Sequence, residues 1–125
     1  MIFNLTQHSP TPDQVKAGVV HDRDHEQEIQ SLLTFDQANF TRGEIQRRAD
    51  RLAEIALESG ENEAMIGGAG WLMAPLEKAL AKVGICPLYA FSVRESVEQQ
   101  MPDGSVRKVN KFRHVDFIIG SEWED

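Results

Sequence analysis

Short apolar segments alternate with amphipathic segments over the first 91 residues of the chain, and this alternation limits the possible folds more than any other feature. Four apolar segments predict strands, at Ile2–Leu5, Ile29–Phe35, Ala64–Gly67 and Leu88–Phe91. Amphipathic segments predict three helices, one from Pro12 to Gly18, one from Thr41 to Gly60, and one that ends at Gly84. This β-α-β-α-β-α-β order predicts an α/β fold with a mostly parallel sheet, right-handed crossovers and flanking helices.

Local signals refine two of these helices. Thr11 and Thr41 each begin a capping box, so both threonines are predicted N-caps. Val15, in the first helix, is expected to face the protein core. The last helix carries a buried stripe from Leu72 to Val83, which places Pro75 in its first turn, where proline is tolerated.

The pattern changes after Phe91, where polar extended segments flank the turn signal Pro102-Asp103-Gly104. Val115, Phe117 and Ile119 alternate as in a half-buried strand. The sequence therefore predicts a C-terminal β-hairpin at residues 94–119 that extends the sheet or folds over the crevice above it. Residues 1–125 are expected to form a single domain, with a frayed tail in which Trp123 packs back.

Composition excludes several classes of function. The 125 residues carry a formal charge of −7, which disfavours binding to duplex DNA. The single cysteine, Cys86, provides no disulfide framework and no cysteine-based zinc site, as expected of a reduced cytoplasmic protein. No segment approaches the ~20 apolar residues of a membrane span, and Met1–Leu5 does not resemble a signal peptide. We expect neither a membrane partner nor a cofactor.

Residues 64 to 76 contain the strongest functional signal, a short apolar strand that runs through three glycines into a helix. Glycines allow backbone N–H groups to approach a bound group, and a helix start favours phosphate or carboxylate. The spacing of Gly67, Gly68 and Gly70 is not G-x-G-x-x-G, and no G-K-[ST] motif is present. The segment therefore predicts a ligand shelf without specifying a reaction, although close packing of helix against strand also explains the glycines.

Ligands of open parallel sheets bind beyond the carboxyl ends of the strands. Polar or glycine-rich loops follow all four predicted strands, and together they predict one crevice for a small anionic ligand. The residues concerned are Thr6, Gln7 and His8; Asp36; Gly67, Gly68, Gly70 and Trp71; and Ser92, Arg94, Glu95 and Ser96.

Each candidate also has a purely structural interpretation. Arg94 suits bidentate phosphate binding, but a salt bridge with Glu95 or Glu98 explains it as well. His8 suits proton transfer because an unperturbed histidine titrates near neutrality, yet a turn histidine is often a structural hydrogen-bonding residue. Ser92 suits ligand binding or hairpin hydrogen bonding. Trp71 suits stacking on a nucleobase or packing at the helix start.

Two charged segments complete the candidates. His21, Asp22, Asp24, His25 and Glu26 have the composition of a metal site, but no H-E-x-x-H motif is present, and we favour a solvated acidic loop with no metal. The basic run Arg107–Arg113 suits closure over an anionic ligand, or it keeps an exposed hairpin soluble and free of edge pairing.

The chain resembles the small CRISPR-associated Rossmann-like proteins, relatives of CARF domains that bind cyclic oligoadenylate and in some members cleave it. Similar small proteins occur in phage and mobile elements. The resemblance rests on three motifs and does not extend to the long hairpin. These motifs are Asn4-Leu5-Thr6-Gln7-His8 with Thr11-Pro12-Asp13-Gln14, Gly67-Gly68-Ala69-Gly70, and Pro87-Leu88-Tyr89-Ala90-Phe91-Ser92-Val93-Arg94.

The resemblance implies a homodimer in which the strand-end loops of two subunits enclose a symmetric nucleotide. It also implies a metal-independent phosphodiesterase of the ring-nuclease type, in which a ribose 2′-hydroxyl attacks the neighbouring phosphate. In this scheme Arg94 and the N–H groups from Gly68 to Trp71 hold the phosphate, Thr6 or Ser92 adds a hydrogen bond, and His8 moves the proton. The alternatives are a non-enzymatic regulatory module that binds a nucleotide or a protein, and a small structural protein.

Overall fold

Five strands form one mixed sheet in the computed structural model, which describes residues 1–124. The spatial order of the strands is β2-β1-β3-β4-β5. The first four strands, β1 to β4, are parallel to one another, and β5 pairs antiparallel with β4. The strands are β1 (Ile2–Leu5), β2 (Val19–Val20), β3 (Glu63–Ile66), β4 (Cys86–Gln100) and β5 (Val106–Ile119).

Four helices connect the parallel strands, and local sequence explains where most of them begin. They are α1 (Pro12–Lys16), α2 (Glu26–Leu33), α3 (Arg42–Ser59) and α4 (Gly70–Lys82). Thr11 and Thr41 cap α1 and α3 as predicted, each accepting a hydrogen bond from the backbone N–H three residues on. α3 ends at Gly60, whose φ of 80° is the left-handed conformation that glycine adopts without strain.

The predicted strand Ile29–Phe35 is wrong, because Glu26–Leu33 forms helix α2. Ile29, Leu32 and Leu33 lie at the i, i+3, i+4 spacing of a helix face, and all three are buried on it. The second strand is instead the two-residue segment Val19–Val20, which pairs with Ile2 and Phe3 of β1.

The main core lies between the sheet and helices α2, α3 and α4. It joins Phe3 and Leu5 of β1 to apolar side chains of the three helices, among them Leu33, Leu52 and Leu76. The opposite face of the sheet has a smaller cluster of Ile2, Val19, Met65, Cys86 and Leu88, against which Phe117 and Trp123 pack. Trp123 therefore packs back as predicted, although the last residue, Asp125, lies outside the described residues.

A buried arginine joins α2 to α3. Arg48 is 6% exposed, and its guanidinium donates to the carbonyls of Leu32 and Thr34 at the end of α2 and to the carboxylate of Glu44. It also lies 4.3 Å from the ring centre of Phe35. Because the last carbonyls of a helix have no partner within it, Arg48 substitutes for a backbone cap.

The predicted hairpin is present and longer than the sequence indicated. Pairing runs from Leu88 opposite Ile119 to Gln100 opposite Val106, with a bulge at Val115 where the register shifts. We call Ser92–His114, which includes the turn at 101–105, the arm, and the rest of the described chain the body. The predicted burial of Val115, Phe117 and Ile119 on one face of the strand is confirmed only for Phe117, which packs against the smaller cluster, while Val115 and Ile119 are 47% and 51% exposed. The bulge interrupts the alternation of side chains at Val115.

Two smaller predictions are also wrong. Val15 is 55% exposed, since α1 has only five residues and buries none of them. Pro75 lies inside α4 and not in its first turn, because the helix begins earlier than expected, at Gly70. Among the described residues, none of the helices is both long and apolar enough to cross a bilayer.

Candidate functional site

A crevice opens where the chain leaves β1 and β3. From β1 the chain turns towards β2 through α1, and from β2 it crosses back over β1 to β3 through α2 and α3. Right-handed crossovers in opposite directions place α1 and the α2–α3 pair on opposite faces of the sheet. The loops after β1 and β3 therefore diverge, and this switch point is where ligands bind in sheets of this kind. We call the hollow between them the switch-point crevice.

The switch-point crevice has a volume of about 500 Å³. Five of the predicted site residues line it, namely Thr6, Gln7, His8, Gly67 and Gly68. Its other lining residues are Ser9, Thr11, Gln14, Met65, Ile66, Tyr89 and Ala90. Within the described chain this lining includes no Asp, Glu, Lys or Arg, so its electrostatic character comes from backbone dipoles and polar side chains.

Asn4 organises the loop on one side of the crevice. Its side chain is 5% exposed, and its Nδ2 donates to the His8 carbonyl at 2.8 Å. Its Oδ1 accepts from the Thr6 N–H at 3.0 Å and from the Thr6 hydroxyl at 2.7 Å. Asn4 thus fixes the turn that presents His8. The sequence signal for this role is a polar residue inside an otherwise apolar strand.

Glycines form the other side of the crevice. Gly68 has a φ of 138°, which side-chain-bearing residues rarely adopt. Gly67 faces Thr6, and a Cβ added to Gly67 would lie at an ordinary contact distance of 3.7 Å from Thr6 Cγ2. α4 begins two residues later, and its N-cap, Ala69, offers no side-chain hydrogen bond. The first N–H groups of α4 are therefore without a side-chain cap at this edge of the sheet.

Most polar side chains of the crevice are engaged within the protein. Thr11 and Gln14 hydrogen bond to each other's backbone in the capping box, and Gln7 Nε2 donates to Thr34 Oγ1 at 3.1 Å. Within residues 1–124, neither the His8 ring nor the Ser9 hydroxyl forms a hydrogen bond. These two groups are the side chains open to a ligand.

Tyr89 closes the crevice from β4. Its hydroxyl donates to Glu77 Oε2 at 2.6 Å, while Glu77 Oε1 accepts the Glu122 N–H at 3.0 Å. Burial and the hydrogen bond to Glu77 both raise the pKa of Tyr89 far above its usual value. Tyr89 therefore stays neutral, and its role is to hold the wall of the crevice and the C-terminal segment.

Arg94 and Ser92, also predicted for the site, are on the arm and do not line the crevice. Arg94 shares a face of β4 with Ala90 but lies four residues further on, which is about 13 Å along a strand. Its guanidinium is 5.9 Å from the ring centre of Phe112. Among the described residues Arg94 forms neither of the alternative salt bridges, with Glu95 or with Glu98, and Glu95 pairs with Arg113 at 2.6 Å.

Trp71 lies in a second hollow of about 640 Å³, beside the first turn of α4, and Gly70 lines neither hollow. Its ring is 60% exposed and contacts Phe35 edge-on, with ring centres 5.7 Å apart. The other lining residues are Asp36, Gln37, Phe40 and Ile45. Trp71 is thus neither a core residue nor a part of the switch-point crevice.

The predicted acidic loop is held by contacts between its histidine and carboxylate side chains. His25 Nδ1 lies 2.7 Å from Asp22 Oδ2, and this contact raises the pKa of His25. His21 Nε2 lies 3.5 Å from Glu26. Nowhere in the described chain do three His, Cys, Asp or Glu side chains come together as metal ligands.

Comparison with known proteins identifies the family. A family model described as the uncharacterized protein MJ1673 family matches residues 1–118. The chain therefore belongs to this family. Neither the curated proteins nor the solved structures contain a match to the chain.

Proposed function

We propose that this member of the MJ1673 family binds a small anionic nucleotide in the switch-point crevice. One observation carries the proposal: the loops after β1 and β3, with His8 and Ser9 on one and Gly67 and Gly68 on the other, face one hollow of about 500 Å³. A hollow of this size accommodates a small ligand, and the switch point of an open α/β sheet is its usual position.

Dipoles and not fixed charges are the basis of anion binding in this proposal. The glycine turn allows a phosphate to approach backbone N–H groups, and the start of α4 adds the partial positive charge of a helix N-terminus. The Ser9 hydroxyl and the His8 ring supply side-chain donors from the opposite side.

The arm provides the second contact of a ligand longer than one nucleotide. Arg94 lies on the same face as Ala90 and about 13 Å beyond it, a distance that a mononucleotide in the crevice does not bridge. Two or more linked nucleotides span it. This separation agrees with the resemblance to proteins that bind cyclic oligoadenylate, and we propose that ligand class for this crevice.

Cleavage is the enzymatic form of the proposal. A ribose 2′-oxygen bonds to the adjacent phosphorus, the bond to the 5′-oxygen breaks, and the products are a 2′,3′-cyclic phosphate and a free 5′-hydroxyl. The reaction moves one proton from the 2′-hydroxyl to the leaving oxygen, and His8 is the titratable side chain in the crevice lining that can transfer it. In-line geometry and N–H donors to the phosphate supply the rest of the catalysis.

The alternative is a regulatory module that binds the same ligand without turnover. A His8→Ala variant separates the two functions: an enzyme loses product formation and keeps affinity, whereas a binding module shows no turnover to lose. Arg94→Ala weakens binding of the longer ligand in both cases.

Adding one methyl group to the crevice tests the proposal directly. In Gly67→Ala the new Cβ stands at ordinary contact distance from Thr6, so the fold tolerates it, but it occupies the crevice lining. We expect at least a tenfold loss of affinity for labelled cyclic oligoadenylates, measured by titration with several ring sizes.

Gly70→Ala is the matched control, because its Cβ meets no atom within 4 Å and Gly70 lies outside the crevice lining. It should bind like the unmodified protein. The proposal is wrong if no ring size binds at micromolar protein, or if the two alanine variants lose affinity equally.

A further inference from the structure

β5 is the edge strand of the sheet, and several of its apolar side chains are exposed. Phe112 is 73% exposed and Ile118 is 55% exposed, and Val115 and Ile119 are also open to solvent. The basic residues of β5 discourage pairing in the arm, but from Phe112 to Ile119 the edge is largely apolar, and an open edge of this kind pairs readily with another strand. The edge of β5 is therefore a candidate for pairing with a strand of another molecule.

Two hydrogen bonds show which backbone groups of β5 point outwards. Met101 N–H donates to the Ser105 carbonyl at the arm tip, and Gly120 N–H donates to the Pro87 carbonyl at the other end. Hydrogen-bonded and non-hydrogen-bonded pairs alternate along an antiparallel pair. Counting inwards from each end, Phe112 and Phe117 fall in non-hydrogen-bonded positions, so their N–H and C=O groups face the open edge.

Asp116 provides independent support for an open N–H at Phe117. Its Oδ1 accepts the Phe117 N–H at 2.8 Å, a local contact made in place of a strand partner. The carboxylate thus covers one exposed donor of the edge. It becomes available for another partner whenever a second strand takes that N–H.

We propose that two copies of this chain associate through antiparallel pairing of their β5 strands, with Phe112 opposite the partner's Phe117. The two-fold axis then passes between His114 and Val115, at the bulge. In this register Arg113 stands opposite the partner's Asp116, and the symmetry repeats the ion pair. Each Asp116 exchanges its contact with Phe117 N–H for the partner's guanidinium.

Side-chain directions agree with this register. Phe112 and Phe117 lie opposite Arg94 and Ala90, which are four residues apart on β4, so both phenylalanines share one face. Arg113 and Asp116 lie opposite Val93 and Phe91, two residues apart, and share the other face. Pairing therefore joins aromatic to aromatic and cation to anion, the cross-strand combinations that stabilise sheets.

Charge disfavours pairing nearer the arm tip. A two-fold axis at Asn110 also satisfies the backbone alternation, but it places Arg107 opposite the partner's Arg113 and Lys108 opposite the partner's Phe112. Like charges directly opposite each other destabilise a sheet. An axis at Phe112 pairs Lys108 with the partner's Asp116 but places Lys111 opposite the partner's Arg113. Of these three registers, the one centred at the bulge has no like charges directly opposite each other. This association requires no nucleotide in the crevice.

Cysteine cross-linking tests the register. Arg113→Cys and Asp116→Cys occupy a non-hydrogen-bonded pair between copies, where Cβ atoms come close enough for a disulfide. We expect a mixture of the two single variants to form a covalent dimer under mild oxidation, and neither variant alone to do so. A mixture of Lys111→Cys and Asp116→Cys is the control for a register displaced by two residues and should not cross-link.

Light scattering provides the second measurement. The unmodified protein should have twice the 14.1 kDa chain mass at tens of micromolar. Asp116→Arg should weaken association by about tenfold or more, since two attractive pairs become repulsive. Glu98→Arg makes the same charge change opposite Lys108, away from the interface, and should leave the dimer intact.

A monomeric mass for the unmodified protein, or equal cross-linking in the displaced register, would overturn the proposal. Both measurements are made without ligand. The absence of a β5 dimer would therefore not count against nucleotide binding. The absence of nucleotide binding would likewise not count against the β5 dimer.

Discussion

The two ends of β4 lie in opposite surroundings. Cys86, Pro87 and Leu88 are buried, with β3 and β5 on either side and α4 nearby, whereas Ser92 to Gln100 have β5 as their strand partner and lie largely in solvent. One continuous strand thus passes from the body into the arm. In the body, burial of apolar side chains determines the structure. In the arm, strand pairing and the turn select it, and stability is expected to be lower there.

Core truncation should give the largest difference between the two regions. Leu52 is fully buried between α3 and the sheet, and Leu52→Ala should lower the free energy of unfolding by about 2–5 kcal/mol in urea titrations. Val106→Ala on the arm removes a side chain that is 62% exposed and should cost less than about 0.5 kcal/mol. Equal losses would contradict the division into body and arm.

Arginine replacement sharpens the comparison for polar contacts. Arg48→Met leaves the carbonyls of Leu32 and Thr34 without their donor in a buried position, and we expect a loss of about 1–3 kcal/mol of stability. Glu95→Gln breaks the exposed Arg113 pair of the arm, where a change below about 1 kcal/mol is expected. The same urea titrations measure both. A larger loss of stability for Glu95→Gln would show that the arm contributes more to the free energy of unfolding than its exposure suggests.

The smallest expected effect is a pH dependence confined to the body. Because Asp22 raises the pKa of His25 above 6.5, the folded chain holds this proton more tightly than the unfolded chain does. The resulting stability is present below pH 6.5 and is lost as pH rises through the raised pKa. Unfolding titrations between pH 5.5 and pH 8 should show this decrease, and His25→Gln should have a flatter profile. Identical profiles would assign the effect to other groups.

The sequence predicted the longer elements of the body better than the short ones, and the reason is physical. Helical spacing and caps identified α3, and apolar runs identified β1 and β3, because burial leaves a periodic pattern. The two residues of β2 are too few to show a period. The adjacent segment Ile29–Phe35 carried the helical spacing of Ile29, Leu32 and Leu33, yet its dense apolar content suggested a strand.

The sequence predicted about half of the candidate site. Loops after β1 and β3 converge because topology alone brings strand ends together, so Thr6, His8 and Gly68 meet as expected. Arg94 was placed beside them on the assumption that β4 ends at Phe91. β4 continues to Gln100, because pairing with β5 stabilises extended backbone that carries no apolar signal of its own. Long-range pairing of polar segments leaves little trace in one sequence.

The hydrogen bonds of Asn4 have a consequence for the energetics of recognition. They hold the turn from Thr6 to His8 in one conformation before anything occupies the hollow. The backbone of this turn therefore loses little conformational entropy when a ligand binds. We expect binding to a preorganised site, without the ordering of a loop around the ligand.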